Sequence, residues 1–310
     1  MNLVLFDPDE LEPPAGDDRQ GDDRSLSGHG SPDGAGPLVG DGAPLDGDDL
    51  RAGNEATNEF ETVTLPADDH RARHIVAVLG AAVGERLRCG VVGGGIAPFL
   101  LQENNAGAVT LRRAGPFAPP AGKPNVRVWL GHPRPIVLRR ILRDLACLGI
   151  PEILVIDTEL GEKSYRDSKL WKDGAYERYF REGMAQGGDT FMPRLERRHS
   201  VRDALARPGS MSTDCPGNTR LLLDLNAAIT AAEVVLNAAE GGGGIVLAVG
   251  AERGFTAGER RLLVDASFLP CTLGPRTLRT EVAAVSGAVL CTSILDAVCE
   301  RGRLRDSGEY

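Results

Sequence analysis

Residues Leu247 to Leu290 read LAVGAERGFTAGERRLLVDASFLPCTLGPRTLRTEVAAVSGAVL and set two strand-turn-helix units end to end. An apolar strand, Ile245 to Val249, runs into Gly250-Ala251-Glu252-Arg253-Gly254. Thr256 and Glu259 then have capping-box spacing, so a helix is predicted to begin there. The plan repeats with Phe268 to Leu273 as a short strand, Gly274-Pro275 as the turn and Arg279-Thr280-Glu281 as the entry to a second helix. Val282, Val285 and Val289 fall at i, i+3 and i+7 and are expected to share one apolar helical face. Turns that join parallel strands to helices are where open α/β sheets bind nucleotide-like ligands, because backbone N–H groups converge at the helix starts. Most such glycine turns, taken alone, serve only chain reversal.

Upstream, Val126, Val128 and Leu130 alternate into a strand, and Pro133 to Pro135 precede a helix with Leu138, Ile141, Leu142 and Leu145 as its buried stripe. Ile153 to Ile156 is apolar throughout, as in a strand covered on both faces. Strand, helix and strand with short joints make a βαβ unit and a parallel sheet. Trp171 to Gln186 is predicted helical, with Tyr176, Tyr179 and Phe180 as core or dimer contacts. Arg220 to Leu225 is the next strand, and Thr230 with Glu233 caps the helix after it. The domain is expected to run over 125–310, behind a Pro-rich linker at 117–124.

The first third is organised differently. Asn2 to Phe6 and Glu61 to Leu65 are strand-like; Gly84 to Val92, Phe99 to Gln102 and Ala108 to Arg112 complete a small β domain, with Gly93-Gly94-Gly95 as a hairpin turn. Between its pieces, 12–58 is rich in Gly, Asp, Pro and Ser and is expected to be a disordered insertion, since it has little apolar surface to offset chain entropy. Ala67 to Leu79 is predicted helical, with Ile75, Val78 and Leu79 inward and His70, Arg71, Arg73 and His74 on a flank that either faces solvent or contacts RNA phosphates.

Charge is divided in the same way. The chain of 310 residues has a formal net charge of −9, yet residues 1–60 hold 15 acidic and 3 basic side chains, while 71–200 hold 21 basic and 13 acidic. The body is therefore mildly basic, as a nucleic-acid-binding protein requires, and the acidity sits in the insertion, where it would weaken non-specific RNA binding. Six scattered cysteines without C-x-x-C spacing argue against a metal site or a disulfide framework and for a reducing, cytoplasmic compartment. No signal peptide is expected, nor any stretch of membrane-spanning length.

The two turns carry a resemblance. Gly250-Ala251-Glu252-Arg253-Gly254-Phe255 with Glu259, and Leu273-Gly274-Pro275-Arg276-Thr277-Leu278-Arg279-Thr280-Glu281-Val282-Ala283, resemble the signature loops of the 16S ribosomal RNA (uracil-N3)-methyltransferases, of the knotted SPOUT class. The family pattern is near G-P-E-G-G-F-x-x-x-E, then L-G-x-x-I-L-R-x-E-T-A; the chain departs at Ala251, Arg253, Thr277 and Val282. Glu162-Lys163-Ser164 is similar to the family's E-R-S, and Glu182 and Gln186 to its E-A-x-x-Q. The run from His70 resembles its amino-terminal PUA-like β-barrel, here 1–11 and 59–116.

The resemblance implies a trefoil-knotted α/β domain, S-adenosyl-L-methionine as cofactor, ribosomal RNA or the small ribosomal subunit as partner, and a homodimer. It implies that Val249, Gly250, Glu252, Gly254, Leu273, Gly274 and Leu278 enclose the cofactor, that Lys163 contacts RNA, and that Arg279 and Glu281 are catalytic. Methylation at uracil N3 requires loss of the N3 proton, so a guanidinium would steady the charge spreading to the flanking carbonyls and a carboxylate would orient it. Two other readings stay open: the same fold and cofactor on a different nucleotide, or an RNA-binding scaffold in which Arg253 blocks the cofactor turn. A nicotinamide dehydrogenase is disfavoured because no G-x-G-x-x-G follows the first α/β strand.

Overall fold

The computed structural model describes residues 3–11, 62–206 and 217–307, with side chains to 301. The acidic insertion at 12–58 and most of the polar loop before Thr219 lie outside the described residues.

The amino-terminal unit is built from β1 (Val4–Phe6), β2 (Thr62–Leu65), α1 (His70–Arg73), β3 (Arg86–Val91), β4 (Ile96–Asn105) and β5 (Ala108–Arg113). Its strands lie in the order β1-β3-β4-β5-β2, with β1 parallel to β3 and every other pair antiparallel. β1 and β2 are the two edges of this sheet, which is a partly curled half-barrel. Phe6, Phe99, Leu101 and Leu111 fill its core. In the expected helix Ala67 to Leu79, only Ile75 of the three inward candidates is buried; Val78 and Leu79 are exposed. The reason is a wide turn at His74–Val78 with i→i+5 bonding, which rotates the last residues off the helical register.

The second unit is a six-stranded sheet, parallel throughout, ordered β11-β9-β10-β6-β7-β8. Its elements are β6 (Val126–Gly131), α2 (Pro135–Cys147), β7 (Glu152–Ile156), α3 (Glu177–Gly187), β8 (Arg194–Arg198), α4 (Val201–Ala206), β9 (Thr219–Leu223), α5 (Ala231–Glu240), β10 (Ile245–Val249), α6 (Ala257–Asp265), β11 (Phe268–Cys271) and α7 (Thr280–Ser307). Alternate residues of each central strand feed two cores. Val128, Leu130, Ile153, Val155 and Leu247 pack under α2, α3, α5 and α7, while Trp129, Leu154, Ile156, Val246 and Ala248 pack under α4 and α6. The inward stripe expected of α2 is present, with Leu138, Ile141, Leu142 and Leu145 fully buried.

Three expectations are corrected. The helix predicted from Trp171 starts only at Glu177, because Asp173 and Gly174 adopt φ of 50° and 68° and break the run. The strand at β8 and helix α4 were not foreseen. On α7 Val282 and Val289 face outward, 43% and 41% exposed, Val285 is half-buried, and Ala284, Gly287, Ala288 and Cys291 form the buried face. Small residues face in because the helix lies close on the sheet, where a Cβ at Gly287 would stand 2.8 Å from Leu247 Cδ2. Contrary to the sequence reading, Thr280–Arg301 is by length and composition long and apolar enough to cross a membrane.

The units share a seam. Leu3 and Leu5 of the first strand point into the α/β core while Val4 and Phe6 point into the other. Thr190 closes the joint: its carbonyl accepts from Gly93 N at 2.8 Å and its hydroxyl donates to the Gly94 carbonyl at 2.6 Å.

Helices α2 and α3 touch through glycine, and a Cβ on Gly183 would sit 2.1 Å from the Arg143 carbonyl oxygen. Gly183→Ala is expected to cost about 2 kcal/mol by overpacking, read as a lower urea midpoint, whereas Gly122→Ala, with nothing within 4 Å, leaves the midpoint unchanged.

Candidate active site

All six strands end at one edge of the sheet. From β6 the chain moves outward to β7 and β8, then crosses to β9, returns to β10 beside β6, and finishes at β11 beyond β9. The direction of winding thus reverses between β6 and β10, and in such sheets the crevice at that reversal binds ligands.

A cleft of about 770 Å³ opens there. Its walls are the ends of β9 and β10, the turn 250–255, the turn 272–279, the start of α7, and Arg134 at the start of α2. Every residue predicted for the cofactor lines it: Val249, Gly250, Glu252, Gly254, Leu273, Gly274 and Leu278, together with Arg279 and Glu281.

The first turn is locked by its neighbours. Gly254 has φ of 69°, and a Cβ on Gly250 would stand 2.8 Å from Gly254 Cα, so both glycines are dictated by the tightness of the loop. Arg253 is exposed and does not adopt positive φ, so the departure from the family pattern leaves the turn unstrained. Glu252 accepts from Arg134 N at 2.9 Å and thereby pins the turn to the start of α2. Thr256 and Glu259 form the expected capping box, and buried Glu259 also accepts from Glu159 N at 2.9 Å. In the second turn Gly274 has φ of 121°, its N–H donates to Thr272 Oγ1 at 3.1 Å, and that hydroxyl donates to its carbonyl at 2.8 Å.

Arg279 is exposed and Glu281 half-buried; among the described residues they form no ion pair with each other, so the orienting contact expected between them is not formed. Arg260 is paired with Asp224 across the cleft wall.

The predicted RNA contacts are scattered. Lys163 is exposed in a short 3-10 turn, Lys163–Asp167, away from the cleft lining. His70 and Arg73 are on the surface of α1, Arg73 donating to the Asp68 carbonyl at 2.9 Å. Arg71 is not on that surface: its side chain is 13% exposed, bonded to Asp69, Glu10 and, at 2.9 Å, the Leu5 carbonyl, so it fastens α1 to the first strand. His74 turns partly inward, and burial lowers its pKa, which favours the neutral ring over a phosphate contact.

Sequence reading missed the end of β6. Gly131 is required because a Cβ there would stand 2.5 Å from Ala251 N. Next to it, His132 Nδ1 lies 2.8 Å from Asp157 Oδ1, both side chains buried. Asp157 Oδ2 also faces Arg166 Nε at 3.1 Å and Arg197 Nη2 at 3.2 Å. The signal was there in Gly131-His132-Pro133-Arg134-Pro135, a third strand-glycine-helix joint. Among the described residues no His, Cys, Asp and Glu cluster is suited to a metal, and Cys89, Cys147, Cys271, Cys291 and Cys299 are free thiols.

This fold and cleft define an RNA methyltransferase. The RNA methyltransferase domain family matches residues 121–291, and the chain belongs to it. It is similar to ribosomal RNA small subunit methyltransferase E 1 of Borreliella burgdorferi, 28% identical over 240 residues, 77% of this chain and 95% of that protein. It is 38% identical to ribosomal RNA small subunit methyltransferase E of Treponema pallidum over 161 residues, 52% of this chain and 59% of that one. Among solved structures, ribosomal RNA small subunit methyltransferase E of Neisseria gonorrhoeae, bound to S-adenosyl methionine, aligns with a TM-score of 0.60 at 21% identity, covering 75% of this chain and 92% of that one.

Burial would raise the pKa of Asp157, but hydrogen bonds from His132 and Arg197 and their charges outweigh it and bring it down to about 2 from 3.8. A carboxylate with a lowered folded-state pKa stabilises above its unfolded value and loses that stabilisation as pH falls through the folded one. Asp157→Asn should therefore be less stable than the parent near neutrality, with the gap narrowing by about 2 kcal/mol between pH 5 and 2, measured by chemical denaturation at each pH.

Proposed function

We propose that this chain transfers the methyl group of S-adenosyl-L-methionine to N3 of a uridine in small-subunit ribosomal RNA. The observation that carries the reading is the convergence of both glycine turns with Arg279 and Glu281 on one cleft at the reversal point of the sheet. The cleft volume lies in the range of cofactor sites. Its glycine turns bring backbone to the surface without intervening side chains, which suits an adenosine group. The named activity of the Borreliella relative over 95% of its length, and the cofactor in the Neisseria structure, support the same assignment. That cofactor supplies an electrophilic methyl when bound.

The chain's own residues do the rest. Backbone at Val249, Gly250, Gly254, Leu273, Gly274 and Leu278 encloses the cofactor, and Glu252 holds the first turn against Arg134. The free, exposed guanidinium of Arg279 meets the negative charge that spreads to the uracil carbonyls once N3 loses its proton, and Glu281, one turn edge away, orients it when RNA arrives. His70, Arg73 and Lys163 position RNA phosphates.

The curled amino-terminal sheet serves as the PUA-like RNA-binding unit, and the crossing order of the last strands and α7 belongs to the trefoil-knotted SPOUT arrangement. The outward Val282 and Val289 of α7, with neighbouring Leu278, are covered by a second copy, which makes the protein a cytoplasmic homodimer and accounts for the apolar character of that helix without a membrane.

Nucleoside mapping by mass spectrometry of small-subunit RNA from a strain lacking the protein should show one 3-methyluridine missing, restored by purified protein with S-adenosylmethionine. Arg279→Ala is expected to restore it at least a hundredfold more slowly, consistent with loss of one charge-stabilising group. An unchanged map contradicts the assignment.

A further inference from the structure

We propose that His132, held by Asp157, is the general base that removes the N3 proton, and that the unpaired polar groups near it select uracil. The proposal rests on the function proposed above and adds the residue that function leaves unassigned. His132 is 3% exposed, yet its Nε2 has no hydrogen-bond partner. The same holds for Thr158 Oγ1 and Trp171 Nε1. All three residues lie around the ends of β6 and β7. His132 and Thr158 follow the ends of neighbouring strands β6 and β7, and the His132 and Trp171 rings meet edge to face at 5.4 Å. A fold gives up about 1–3 kcal/mol for each buried polar group left unpaired, and such groups gather where a ligand completes them.

The polarity of the set matches uracil. Asp157 is ionised and accepts a hydrogen bond from His132 Nδ1–H, the tautomer that leaves Nε2 as an acceptor. An acceptor suits the N3–H of uracil, and the Trp171 N–H and Thr158 O–H suit carbonyls O2 and O4. Cytosine presents an acceptor at N3 and is refused by the same arrangement. In the reaction the N3–H bond breaks and its proton passes to Nε2. The electron pair left on N3 forms the bond to the methyl carbon, and the methyl-sulfur bond breaks to give the neutral thioether. The imidazolium, steadied by Asp157, returns its proton to solvent.

The location is consistent with that role. Gly131, directly before His132, backs the Gly250-Ala251 turn, and Arg134, two residues after, lines the cleft. Access is controlled by the segment from Lys163 to Trp171, two short 3-10 turns whose Tyr165 and Trp171 rings cover His132. Leu170 and Trp171 anchor its far end in the α/β core, while the first turn is held by Arg166 to Asp157 at 3.1 Å and by the Arg166 carbonyl accepting from Arg197 Nη1 at 3.2 Å. RNA phosphates drawn to Lys163 and Arg166 compete for those contacts and lift the first turn alone. The groups facing the dyad are Asp157, Tyr165, Arg166 and, from β8 and its end, Arg197 and exposed His199 at 3.7 Å from Asp157.

The test has two arms on the full chain. In single-turnover methylation of a small-subunit RNA fragment from pH 5.5 to 9.5, the parent rate should rise with one ionisation and level off. His132→Gln, near-isosteric and still able to bond Asp157, should lose that ionisation and about a hundredfold in rate, with melting temperature and S-adenosylmethionine affinity unchanged. Asp157→Asn should retain the ionisation at reduced rate. In the second arm, ¹⁵N-histidine spectra should show Nε2 of His132 shifting on addition of a uridine oligonucleotide but not of its cytidine counterpart. A His132→Gln variant with parental rate and pH profile overturns the proposal, as does a His132 signal indifferent to uridine. If the parent protein methylates no uridine at all, the proposed function fails by itself, and the spectral arm still decides whether His132 meets uracil.

Discussion

One close approach of backbone to backbone in the α/β unit is the one on which its chemistry depends. The end of β6 presses so tightly on the turn after β10 that Gly131 has no room for a side chain, and the turn itself folds so sharply that Gly250 and Gly254 nearly touch. Two strands adjacent in the sheet, 245–249 and 126–131, are thereby tied at the edge where winding reverses. Everything on either side is fastened to that tie. Glu252 reaches across it to the start of α2, and Glu259 reaches across it to Glu159 after β7. The cleft opens at that edge, and the His132–Asp157 pair follows the ends of β6 and β7 beside it.

Burial explains why such a tie holds still. The central strands are covered on both faces and contribute to two cores at once, so a shift of one strand would disturb both helical layers. The same logic extends to the amino-terminal unit, where the first strand alternates its side chains between two cores. A unit joined in this way is held in a fixed relation to the α/β core.

Much of this was legible in the sequence, for local reasons. Glycine turns, capping boxes at Thr230 and Thr256, and the continuous apolar runs of 153–156 and 245–249 are written in consecutive residues, and they appear as expected. What was not legible depends on distant partners. Arg71 reads as a surface cation because Glu10, 61 positions earlier, cannot be seen beside it. The α7 valines read as core because bulk ordinarily points inward, but a helix lying this close to a sheet needs Ala284, Gly287 and Ala288 there instead. The edge strand at 194–198 was hidden by its arginines, which are what an edge strand carries to discourage further pairing. Candidate residues on the two signature turns were found together, whereas His132 and Asp157, 25 positions apart on neighbouring strands, required the sheet to bring them into register.

The central claim is that the two glycine turns form one cofactor site. Calorimetric titration of the full chain with S-adenosylmethionine, beside Gly274→Ala, tests it most directly, because φ of 121° at that residue is denied to alanine. The account predicts saturable binding at one site per chain, lost or weakened at least tenfold in the variant while the melting transition is retained. Absence of saturable binding by the parent protein, or equal affinity in the variant, would contradict it.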